Sequence, residues 1–135
     1  MATITPTITL TSDAGDLITD ALSISTNTSI TAPHTTGISR ETVTSTAKGT
    51  ASGQVTLYTA DDYAAIAYLY IKNTSTTTAD KIYIYNDSTS GDPIWMQLAG
   101  KDWAFVPMHG DKTLKAYNPN GSNPVIEWMV IGTDQ

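Results

Sequence analysis

Two histidines are the whole supply of imidazole in this chain, and both sit among turn residues, His34 in "APHTTG" and His109 in "PMHGD". An imidazole can act as a general base, orient a nucleophile or bind a metal. Flanks of this kind make an exposed loop histidine the plainer expectation. Serines and aspartates are plentiful enough for a Ser-His-Asp set to be drawn on paper, but a triad is a geometric arrangement and no nucleophile-elbow motif accompanies them. Carboxylates cluster as Asp13, Asp16 and Asp20, as the adjacent Asp61 and Asp62, and as Asp87 and Asp92 around a loop. Calcium takes oxygen ligands of this type, and "TSDAGDLITD" is the least unfavourable stretch for it. The spaced calcium-loop pattern with its terminal glutamate is absent, and aspartate in turns more commonly hydrogen-bonds the local backbone. Glu41 and Glu127 are the only glutamates, and nothing pairs them for glycoside hydrolysis. With no cysteine, thiol nucleophiles, thiolate metal sites and disulfides are excluded. No catalytic, metal or cofactor residue is assigned, and the expectation is a protein that is not an enzyme.

Aromatic side chains carry the stronger signal. Trp95, Trp103 and Trp128 have rings that stack on sugars or fill interfaces, and Tyr70, Tyr83 and Tyr85 can line a binding face. In "KIYIYN", Ile82 and Ile84 point one way while Lys81, Tyr83 and Tyr85 point the other. In "PVIEWMVI", the Ile126–Trp128–Val130 face opposes Val125–Glu127–Met129–Ile131, again apolar on both sides. An isolated antiparallel sheet keeps one face polar, so two-sided apolar strands imply cover by other strands or by a partner. Ile4, Ile8 and Leu10 of the N-terminal strand join Tyr70, Tyr83, Tyr85, Trp95, Trp103 and Trp128 as interface candidates.

The elements that position these residues are strands. In "TITPTITL" the apolar Ile4, Ile8 and Leu10 are even and the threonines odd, a half-buried strand pattern. In "LITDALSIS", Ile18, Leu22 and Ile24 share a face, with Asp20 the exception. Pro6 withholds one ladder hydrogen bond and predicts an edge strand or a loosely paired arm. Threonine here suits the solvent face of a strand, being β-branched and polar. An ice-binding ladder would need the motif repeated in register, and it occurs once. Further strands are predicted near 65–73, 81–86, 94–98, 103–107, 113–118 and 124–131, separated by "NDSTSGDP", "AGKD", "MHGD" and "NPNGSNP". The stretch "YLYIKNTSTTTADKIYIYND" predicts a hairpin with a solvent-facing connection. The one helix candidate is a turn around "TADDYAAIA". The Asn-x-Ser tripeptides at Asn27, Asn73 and Asn86 are taken as turn chemistry. The predicted fold is all-β: an antiparallel β-sandwich or jelly-roll-like barrel with a Thr-rich N-terminal strand or arm.

At 135 residues the simplest organisation is a single β domain. Within it, 1–12 is expected as an extended N-terminal arm and 65–131 as an aromatic-rich β-meander core. Every aromatic residue lies after position 57, which marks a compositional boundary. The net charge of −6 and pI of about 4.5, with scattered Lys and Arg, give no basic footprint for nucleic acid or an anionic membrane. No signal peptide is recognised, so synthesis in the cytoplasm is expected.

The succession "YLYIKNTS", "KIYIYND", "WMQLAG", "WAFVP", "LKAYN", "VIEWMVI" resembles the small β-sandwich virion proteins of tailed bacteriophages, of the capsid decoration (cement) type. The likeness covers about residues 65–131 and is carried by Asn73–Thr74, Leu98–Gly100 and Trp103–Pro107. It implies a structural role in the virion, as a capsid decoration protein or a minor head or tail component with the head surface favoured, a viral coat protein as partner, and a closed homo-oligomer such as a trimer. The alternative from a different class is a carbohydrate- or receptor-binding β-sandwich module of a phage tail or fibre, with exposed tryptophans stacking on glycans.

Overall fold

The computed structural model describes residues 3–13, 22–31, 34–50, 52–60, 66–87, 93–110 and 112–132, and is all-β over them. Two compact units divide the chain, 1–33 and 34–135.

In the larger unit, β5 (His34–Thr35), β6 (Ser39–Thr42), β7 (Val55–Tyr58), β8 (Ile66–Asn73), β9 (Ile82–Asn86), β10 (Ile94–Leu98), β11 (Trp103–His109), β12 (Leu114–Tyr117) and β13 (Val125–Gly132) form two antiparallel sheets. The wide sheet runs β11-β8-β13, with β5 and β6 sharing the outer edge of β13, and the narrow sheet runs β10-β9-β12-β7. Four antiparallel pairs, β6 with β13, β7 with β12, β8 with β11 and β9 with β10, make residues 39–132 one long hairpin folded over on itself. The pairs β8–β13 and β9–β12 then close it into two sheets. This connectivity is the eight-stranded jelly roll. The sheets face each other as a sandwich and are not joined into a barrel.

Alternation dictates the core. Ala67, Leu69 and Ile71 of β8 and Ile126, Trp128 and Val130 of β13 turn inward from the wide sheet. Ile82, Ile84, Leu114, Ala116, Val55 and Leu57 answer them from the narrow one. Polar links also cross between the layers. The Trp128 indole Nε1 donates to the Leu57 carbonyl at 3.3 Å, and the Tyr58 hydroxyl to the His109 carbonyl at 2.9 Å.

The stretch predicted as a hairpin is an arch: β8 lies in the wide sheet and β9 in the narrow one, so residues 74–81 cross between layers. Asn73, fully buried, builds the arch. Its Nδ2 donates to the carbonyls of Asp80 (2.7 Å) and Leu98 (3.2 Å), and its Oδ1 accepts the Ser75 N–H at 3.1 Å. Gly100 lies against the arch so closely that a Cβ there would collide with the Thr77 carbonyl. Buried Asn118 repeats the device after β12, its Nδ2 donating to the Ser122 carbonyl at 2.6 Å and its Oδ1 accepting the Asn120 N–H at 2.8 Å.

In the smaller unit the N-terminal segment lies in paired strands. β1 (Thr3–Ile4) pairs with β4 (Ile30–Thr31), and β2 (Thr7–Thr11) with β3 (Ser23–Asn27). Both pairings keep one register, from Thr3↔Thr31 to Thr11↔Ser23, so this is a single two-stranded ribbon. Its ladder is interrupted at Thr5–Pro6, where Pro6 has no N–H to give. The compositional boundary at 57 is not the structural one. β6 and β7 belong to the sandwich, and β6 is polar because it lies at the exposed margin of its sheet. The helix candidate falls largely on 61–65, outside the described residues.

Candidate functional site: the outer face of the wide sheet

Register fixes what the wide sheet shows on the side away from the core. Three cross-strand rows run over it: Trp103–Lys72–Glu127–Arg40, then Phe105–Tyr70–Met129, then Pro107–Tyr68–Ile131–Thr35. Two rows are apolar or aromatic, where a sheet exposed to water would carry polar side chains. Tyr68 and Phe105 stack with centroids 5.8 Å apart at 13°. Tyr68, Tyr70 and Phe105 are half-buried, Trp103 at the margin is 53 % exposed, and Ile131 in the third row is fully buried.

One clamped carboxylate bounds this apolar field. Arg40 reaches Glu127 Oε2 from Nε at 2.7 Å and from Nη2 at 2.6 Å, while the Tyr70 hydroxyl donates to Oε1 at 3.2 Å. The Arg40 hydrogen bond is the main cause of a Glu127 carboxyl held below the usual range, partly opposed by burial. The Tyr70 phenol moves upward, first from burial and then from its bond to Glu127. Glu127 thus stays ionised and fixes both neighbours. The result is an ordered aromatic surface with a charged border, a composition found at the centres of protein interfaces.

The other interface candidates are dispersed. Tyr83 and Tyr85 lie on the opposite exterior, that of the narrow sheet, with Tyr117: the rings are 5.4 Å (Tyr83–Tyr117) and 5.5 Å (Tyr85–Tyr117) apart. Here the segment between β6 and β7 forms a cover. Gln54 Oε1 accepts the Tyr85 hydroxyl at 2.8 Å, Lys48 Nζ sits 5.4 Å from the Tyr85 ring centre, and Asp87 pairs with Lys115 alongside. Tyr85 is fully buried and Tyr83 half-buried. Burial raises the Tyr85 and Tyr117 phenols, with neighbouring Asp87 and the other tyrosines adding to it. Trp128 is a core residue. Burial leaves Tyr85 and Trp128 no surface to offer a partner. Ile4, Ile8 and Leu10 lie on the ribbon, apart from the sheet residues in sequence and unit.

Trp95 stands at a register shift between Ile94 and Met96, a bulge in edge strand β10 that re-aims its side chain. It is 49 % exposed beside an open groove of about 320 Å³, lined also by Tyr58, Asn86, Pro93, Met108 and His109. Among the described residues, no group of three His, Cys, Asp or Glu is placed to hold a metal. Asp16, Asp20, Asp61, Asp62 and Asp92 lie outside them. Sequence pattern missed the row Lys72–Glu127–Arg40, because no spacing rule relates residues 87 positions apart. Comparisons with protein-family models, curated proteins and solved structures give no match to this chain.

Proposed function

We propose that this protein is a non-enzymatic structural component of a virion, a capsid decoration (cement) protein that braces a viral coat-protein lattice at the head surface. The supporting observation is the outer face of the wide sheet. Trp103, Phe105, Pro107, Tyr68 and Met129 form an apolar field on a sandwich exterior, held in register by strand pairing and bordered by the Arg40–Glu127 pair. Rigid aromatic rings cost little side-chain entropy on docking and carry much of the energy of protein interfaces. A decoration protein works through such a face, adding buried area between neighbouring coat subunits without chemistry. The acidic balance of −6 suits a protein that must not adhere to packaged nucleic acid.

The test is rebinding to particles of the virus whose genome carries the gene. Wild-type protein is expected to sediment with capsids at a fixed ratio to coat protein. Trp103→Ala is expected to weaken that binding by roughly thirtyfold, the effect of an interface hot spot of about 2 kcal/mol. Absence of the protein from purified particles, or equal binding by the variant, overturns the proposal. The groove beside Trp95 favours the rival, a carbohydrate- or receptor-binding module. Saturable quenching of tryptophan fluorescence by a glycan, lost in Trp95→Ala, would move the function there.

A further inference from the structure

The ribbon of residues 3–12 and 22–31 sorts its side chains by parity. Its single register places even residues opposite even ones: Ile4 faces Ile30, Ile8 faces Thr26 and Leu10 faces Ile24. Ser12 N–H donates to the Leu22 carbonyl at 3.0 Å, which carries the same register one step further. One face thus carries Ile4, Ile8, Leu10, Leu22, Ile24 and Ile30 together with Pro6, Ser12, Thr26 and Thr28, and the other is threonine, serine and asparagine throughout. Leu10 and Ile24, directly opposite each other, are 52 % and 48 % exposed, whereas Ile30 is buried and Ile4, Ile8 and Leu22 are half-buried, so the open part of this face is its Leu10–Ile24 end. A two-stranded ribbon is at best marginally stable in water, and needs a third strand or a packed face.

Charge restricts the occupant. Residues 3–12 and 22–31 contain no Asp, Glu, Lys or Arg, although the chain carries −6 in all. A charged partner would find nothing to pair with on this face. A second copy of the same face meets no like-charge cost and matches it in length and pattern. A two-fold contact of this kind is self-complementary by construction. We propose that the ribbon is a self-association element, its even face stacking on the even face of a second copy to make a four-stranded mini-sandwich. Sheets stacked this way lie about 10 Å apart, a spacing that aliphatic side chains of this size fill. The proposal stands independently of the virion reading, since it concerns the free protein and a different unit.

Sedimentation equilibrium of the full chain tests it. Wild type is expected to associate reversibly, with a mass above the 14.4 kDa of one chain. Leu10→Asp should raise the dissociation constant by on the order of ten- to a hundredfold, because about half of each leucine's burial remains to be gained and a two-fold contact uses it twice. Thr9→Asp, on the opposite face of the same strand, should leave the constant nearly unchanged. The near-ultraviolet dichroism of the sandwich aromatics reports whether each variant is folded. The chain has no cysteine, so single replacements add a second readout. Ile24→Cys should form a disulfide-linked dimer on oxidation, and Ser25→Cys should not. A wild type that is monomeric at all concentrations, equal effects of the two aspartates, or equal cross-linking of the two cysteines overturns the proposal.

Discussion

Replacing Asn73 by alanine removes three hydrogen bonds from the arch between the two sheets. They are the donations to the carbonyls of Asp80 and Leu98 and the acceptance from Ser75 N–H. A neutral intramolecular hydrogen bond contributes about 1 kcal/mol net, and a buried group left without its partner costs about 1–3 kcal/mol more. Water can reach the exposed side of the arch at Thr76–Ala79 and satisfy part of what is lost. Asn73→Ala is therefore expected to lower stability by about 2–4 kcal/mol. In urea the slope for a small domain is about 1–3 kcal/mol/M, so the midpoint should fall by roughly 1–2 M with the slope unchanged. Thr76→Ala, exposed in the same arch, should stay within about 0.5 kcal/mol of wild type. A loss below about 1 kcal/mol for Asn73→Ala, or equal losses for the two variants, would refute the claim that this amide organises the crossing.

Two further outcomes follow from single contacts. Gly100→Ala must push the Thr77 carbonyl aside, and overpacking of that kind costs about 1–3 kcal/mol. Gly49→Ala meets open space and should lose only about 1 kcal/mol through its left-handed backbone, so thermal melting should rank the pair in that order. The Glu127 carboxyl is held below its unfolded value, so its contribution is present above the unfolded pKa of about 4.3 and disappears as pH falls through the lower folded value. Arg40→Gln should raise the Glu127 titration midpoint seen by NMR, and its stability difference from wild type should shrink as pH falls. A difference constant from pH 7 to 3 would remove the ion pair as its cause.

Strand positions were legible because alternation is a local property. "IAYLYIKN", "IYIYN" and "VIEWMVIG" carry inward aliphatics every second residue, and β8, β9 and β13 occupy those stretches. Sheet membership was not legible. Nothing in "NTSTTTAD" distinguishes a hairpin turn from an arch, since both want small polar residues, and the difference lies in which strand pairs with Ile71 and Ile84. β6 escaped notice because "SRET" at a sheet margin needs no apolar face. Trp95 was visible as a candidate, but the bulge that turns it outward is set by pairing with β9. The bulk on both faces of "KIYIYN" leaves open whether other strands or a partner cover them; Gln54 and Lys48, some thirty residues earlier in the chain, lie against Tyr85. The apolar side of the ribbon was half visible in Ile4, Ile8 and Leu10, while its other half required the register with β3 and β4.

The folded-hairpin connectivity also governs how the molecule is made. β6 finds its partner only when β13 has been synthesised, 87 residues after Arg40 at Glu127, and β7 waits for β12. Closing such distant pairs delays folding, because loop entropy must be lost before any ladder forms. Throughout that interval, the aliphatic faces of β7, β8 and β9 are already outside the ribosome without β12 or β13. The ribbon, like the β9–β10 pair, has low contact order: its strands meet across at most 28 residues, Thr3 to Thr31. It can close first, and it presents an uncharged edge to nascent neighbours while the sandwich is still incomplete. Yield on overexpression should accordingly depend more on temperature and translation rate than the stability of the finished fold would suggest.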